Sequence, residues 1–138
     1  MLSVVRATPP GPLETTMSDP SFVLLYVADP TASAAFYETL LGRPPVESSP
    51  TFVMFALASG VMLGLWVSRE VAPSATAPGG SELAFTVEDA AAVRAVHAQW
   101  TGRGLRVVQA PTQLDFGHTF VAVDPDGHRL RVFAPGAA

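Results

Sequence analysis

Cysteine is absent from this 138-residue chain. Disulfides, thiolate metal sites, iron–sulfur ligation and a cysteine nucleophile are therefore excluded. Charge is scarce as well. Charged residues make up 14% of the chain, against roughly 25% in an ordinary globular protein. The formal charge is −4, and there is no basic stripe to meet a nucleic-acid backbone or an anionic membrane. Apolar runs are frequent but short, below the ~18 residues that a spanning helix needs. The opening residues lack the apolar core of a signal peptide. No G-x-S-x-G, P-loop or dinucleotide fingerprint occurs, and His97, His118 and His128 do not form an H-x-H or H-E-x-x-H cluster. A soluble cytoplasmic protein with no nucleic-acid or membrane partner is the expectation.

What is present is apolar material: 49% of residues are hydrophobic. At this length that supports one domain, or two small halves sharing a core. Residues 1–20 carry four prolines with little periodicity and read as a flexible N-terminal arm. FVLLYVAD (22–29) reads as a strand ending at an Asp turn, and TASAAFYETLLG (31–42) as a helix stopped by Gly42. A short proline-bounded edge strand falls within 44–50, and two strands flank a turn at Ala58–Gly60. The proline- and glycine-rich stretch 70–81 reads as a linker.

The second half repeats this plan. ELAFTVED (82–89) is a strand ending at an Asp. Residues 90–104 form a helix with Val93, Val96, His97 and Trp100 on one side. LRVVQAP is a short strand, and HTFVAVDPDGHRLRVF is a hairpin about the DPDG turn. Asp29 matches Asp89, and Gly60 matches Gly127. The order strand, helix, three strands thus occurs twice, over 21–69 and 82–134, as two modules of a single domain spanning 21–134. The fold class is α+β: paired βαβββ modules forming a curled eight-stranded mixed sheet.

Alternation assigns the faces. Val23, Leu25 and Val27 share one face of the first strand; Phe22, Leu24 and Tyr26 share the other. Likewise Leu63, Leu65 and Val67 oppose Met62, Gly64 and Trp66. Leu83, Phe85 and Val87 oppose Glu82, Ala84 and Thr86, and Leu130 and Val132 oppose Arg129, Arg131 and Phe133. The aliphatic faces should cover the helices. The mixed faces should line a cup.

FVLLYVADPTASAAFYETLLG and DFGHTFVAVDPDGHRLRVF resemble the opening and closing segments of the glyoxalase/bleomycin-resistance/extradiol-dioxygenase superfamily. The resemblance spans about residues 21–134. It implies paired βαβββ modules and often a homodimer in which two modules build each cup. Members include metal lyases, isomerases, dioxygenases and metal-free proteins that sequester antibiotics. The metal-ligand positions implied by the resemblance fall on Phe22, Gly64, Glu82 and Arg131. Of these only Glu82 could ligate a metal, since Phe and Gly offer no side-chain donor and Arg holds a fixed positive charge.

The candidate ligand-binding residues are therefore Phe22, Tyr26, Met62, Trp66, Glu82, His118, Arg129, Arg131 and Phe133. Phe22, Tyr26, Trp66 and Phe133 suit a flat organic ligand, and ordinary packing is the competing role. Glu82 and Arg131 are expected near each other. They form an ion pair across the cup floor or a solvated pair at its mouth, or Glu82 takes part in chemistry. Arg131 could instead grip an anionic ligand, with Arg129 beside it. His118, entering a strand beside Gly117, is the histidine best placed for ligand contact or proton transfer. His97 is expected in helix packing and His128 at the turn.

No catalytic residue, metal or cofactor is assigned. The leading expectation is a metal-free binding protein that sequesters an aromatic or peptide-like small molecule, acting as a homodimer. The alternatives are a metal-dependent lyase, isomerase or dioxygenase, and a regulatory subunit acting through its dimer face.

Overall fold

The structure, a computed structural model, describes residues 16–17 and 19–136. Most of the N-terminal arm expected over 1–20 lies outside the described residues. The first half contains β1 (Phe22–Val27), α1 (Pro30–Leu41), β2 (Glu47–Ser48), β3 (Phe52–Ala56) and β4 (Met62–Val67). A short 3-10 turn, Ser68–Glu70, leads into the segment before the second half. There follow β5 (Glu82–Thr86), α2 (Ala90–Gly102), β6 (Arg106–Leu114), β7 (Gly117–Val123) and β8 (Arg129–Pro135). The fold is the α+β pair of βαβββ modules, with its eight strands divided between two four-stranded sheets. Their orders are β1-β4-β3-β2 and β5-β8-β7-β6. In each sheet the first strand runs parallel to its neighbour and the other pairings are antiparallel.

The recurring aspartates begin the two helices. Asp29 accepts hydrogen bonds from the Thr31 and Ala32 amides, and Asp89 from the Ala92 amide. Each satisfies backbone donors that the first helical turn leaves free. Gly42 closes α1 in the left-handed region, at φ 70°, where a side chain would be strained.

The aliphatic faces form the core, as alternation requires. Leu25, Val27, Leu63 and Leu65 pack in one cluster with Val93, Trp100, Phe120 and Leu130, which draws on both halves. Trp100 meets Phe85 and Phe120 edge-on, and the half-buried His97 ring lies edge-on to Phe120.

Polar contacts from the DPDG turn fasten the two halves together. Tyr37 on α1 donates its hydroxyl to Asp124 at 2.7 Å. The other Asp124 oxygen accepts from the Asp126 and His128 amides. Asp126 accepts from the Ala28 amide and the Ser33 hydroxyl. The His128 ring lies 2.9 Å from the Tyr26 carbonyl. Burial, followed by the Asp124 charge, pushes the Tyr37 phenol above its ordinary value, so the hydroxyl stays protonated and donates.

Among the described residues, no helix is long and apolar enough to cross a membrane.

Candidate functional site

The faces turned away from the helices differ in character. On the first sheet the face is apolar and open. Phe22, Leu24 and Tyr26 on β1 are 48%, 43% and 37% exposed. Register puts Met62, Gly64 and Trp66 beside them on β4, with Ala56, Met54 and Phe52 beyond on β3. Tyr26 and Trp66 are register partners whose rings meet edge-on at 6.1 Å. Phe22, Tyr26, Met62 and Trp66 are thus brought together on one surface. β1 is also an edge strand, so its outer backbone faces no strand of this sheet.

On the second sheet the corresponding face is polar at one end and aromatic at the other. Arg131 donates from Nε to Glu82 Oε1 at 2.7 Å and from Nη2 to Oε2 at 3.0 Å. This is a two-pronged, charge-assisted pair. Its third nitrogen, Nη1, donates to Gln109 and to the Thr119 hydroxyl, each at 3.2 Å. Thr119 in turn donates to the Val132 carbonyl. The Arg131 hydrogen bonds, foremost, hold the Glu82 carboxyl below the usual carboxylate range. Arg129 is the register partner of Glu82, yet it approaches only to 3.7 Å. Four residues along β8, Phe133 meets Phe116 edge-on at 5.8 Å, and the Arg131 guanidinium lies 5.8 Å from the Phe116 ring centre.

His118 is not brought to this face. It pairs in register with Ala134 and alternates with Thr119, so it shares the parity of Phe120, on the helix side. Its ring lies 3.4 Å from Gln113. His118 therefore stands apart from the arginine cluster, with Gln113 as its side-chain neighbour.

Residues 20–132 match the family model described as the glyoxalase/bleomycin resistance protein/dioxygenase superfamily. The chain belongs to that superfamily. It is 30% identical over 116 residues to the phenazine antibiotic resistance protein EhpR of Enterobacter agglomerans, covering 82% of this chain and 89% of that one. A solution NMR structure of an Agrobacterium tumefaciens protein is 51% identical, with a TM-score of 0.81, over 88% of this chain and all of that one. A glyoxalase-related enzyme from Fulvimarina pelagi shares the fold at 22% identity, with a TM-score of 0.74 and coverage of 86% and 88%.

The superfamily's metal positions can now be tested on geometry. Gly64 offers no side-chain donor, and a Cβ built there would lie 2.8 Å from the side-chain ends of Leu24 and Phe52, so an acidic ligand would have to displace apolar groups. Both Glu82 oxygens are engaged by Arg131. Phe22 supplies no donor. These residues do not fit a divalent metal, and no cluster of metal-ligating side chains occurs elsewhere among the described residues.

Proposed function

We propose that this protein binds and sequesters a flat aromatic, antibiotic-like compound, without a metal and without transforming it. The observation that carries this reading is the uncovered apolar face of the first sheet, where Phe22, Leu24 and Tyr26 are each more than a third exposed. Aromatic rings offer a large contact area at small entropic cost, and a planar ligand can stack on them. The similarity to a phenazine antibiotic resistance protein points to the same class of ligand. Sequestration needs no acid, base or nucleophile. That agrees with a polar site whose carboxylate is committed to a guanidinium.

The working unit in this reading is a homodimer. An open apolar face beside a free strand edge is a surface that proteins ordinarily cover. A second copy, bringing its own polar face over this one, would close each cup with aromatic walls and an arginine cluster.

The test is to incubate the protein, purified without chelator, with a phenazine and to analyse both afterwards. The compound should be retained by the protein and recovered with its mass unchanged, and elemental analysis should find far less than one divalent metal per chain. Stoichiometric metal that supports conversion of the compound would overturn the reading in favour of a lyase, isomerase or dioxygenase.

A further inference from the structure

The arginine cluster carries one more positive charge than it neutralises. Glu82 stands against two guanidiniums, and its two oxygens are taken by Arg131 at 2.7 and 3.0 Å. Arg131 is further held by Gln109 and Thr119, and its side chain is only 18% exposed. Its charge is matched and its geometry fixed. Arg129 differs on both counts. Its closest approach to Glu82 is 3.7 Å, and its side chain is 49% exposed. That distance lies beyond hydrogen-bond length, so the Arg129 fork keeps donors to offer.

Those donors border a cavity. About 190 Å³ of space is lined by Val108, Gln109, Val121, Arg129 and Arg131. A cavity of about 150 Å³ holds benzene, so this space readily takes one substituent of a fused ring. Along the same face, Arg131 leads towards Phe116 and Phe133. Between Glu82 and Thr86, Ala84 is small and exposed, which leaves room for a flat body over the strand. A guanidinium held in place by four hydrogen bonds can itself stack on a ring.

We infer that Arg129 and its adjoining cavity form a subsite for a carboxylate carried by the aromatic ligand. Arg131 is the platform that positions the ring rather than the group that takes the anion. The ligand class is thereby narrowed from flat aromatics to flat aromatic acids. This inference rests on the sequestration reading above.

Calorimetric titration at neutral pH with phenazine-1-carboxylate, phenazine-1-carboxamide and unsubstituted phenazine tests it. The acid and the amide have nearly the same shape and differ in charge. The acid should bind at least about tenfold more tightly than the amide, as one charge-assisted contact implies. In Arg129→Gln that preference should fall to within about twofold, and Arg129→Lys, which keeps the charge, should restore much of it. Both substitutions sit at an exposed side chain, and a denaturant melt confirms that the variants are folded. Equal binding of acid and amide by the unaltered protein overturns the inference while leaving sequestration standing. So does a preference that survives Arg129→Gln. Binding of none of the three compounds overturns the sequestration reading and this inference with it.

Discussion

Glu82 and Arg131 show how far single residues can be read from sequence. Their proximity is implied by the family resemblance, which places both positions on adjoining strands. The detail does not: register sets Glu82 opposite Arg129 and Arg131 opposite Ala84, and the pair that forms is diagonal. An arginine side chain is long enough to span that offset. Which of two arginines wins depends on Gln109 and Thr119, which arrive from other strands. The pair is partly exposed, with side chains 18% and 27% accessible, so its loss should cost about 1–2 kcal/mol rather than the larger penalty of a fully buried pair. Glu82→Gln and Arg131→Leu should each destabilise, and the double variant should recover part of the loss through non-additivity. Strict additivity in denaturant melts would contradict the pairing. The pH dependence has a definite sign. The folded-state pKa of Glu82 lies below its unfolded value. Its contribution is therefore complete above about pH 4.3 and is lost as pH falls through the folded value. The stability gap between the unaltered protein and Glu82→Gln should shrink in acid; a constant gap would count against the ion pair.

His118 and Phe116 are instructive in opposite ways. Alternation counted from Phe120 already turns His118 towards the helix side, but its entry beside a glycine invites a functional reading. Phe116 lies in the short turn between β6 and β7, where no strand parity assigns a face. Only the three-dimensional turn brings it against Phe133 and Arg131.

At the scale of elements, the sequence is most transparent where local chemistry decides the outcome. The two aspartates cap the two helices, and Gly60 and Gly127 both take positive φ, at 96° and 97°. β6 runs longer than its apolar core suggests, continuing through Pro111 to Leu114. Proline is tolerated there because β6 is the edge of its sheet, and its pairing with β7 is irregular between Gln109 and Thr112. The second role of the DPDG turn is invisible to local reading. As a turn it needs only Asp and Gly, yet both its aspartates also accept from side chains of α1, and Asp126 accepts from the Ala28 amide as well. Tyr37→Phe would leave the buried Asp124 without its hydroxyl donor. The expected cost is about 1–3 kcal/mol in a denaturant melt. An unchanged midpoint would show that the turn does not secure the two halves.

For the whole molecule, the repeat dictates two similar modules, and the polarity of their open faces makes them unequal. One face is apolar and aromatic; the other carries the arginine cluster. In the proposed homodimer, the meeting of these faces would depend on contacts between chains, which hydrophobic periodicity does not encode. A cup closed by a second copy predicts a particle of about twice the 14.5 kDa chain mass in light scattering or sedimentation. A stable monomer at working concentrations would contradict that assembly.

Trp66 provides the most direct measurement of the central claim. It lies half-buried beside the exposed Tyr26 on the open face, whereas Trp100 is buried in the core. Titrating phenazine into the protein while following tryptophan emission should give saturable quenching, and calorimetry of Trp66→Ala should show affinity reduced by about 1–3 kcal/mol. Absence of saturable binding, or binding that Trp66→Ala leaves unchanged, would contradict sequestration on this face.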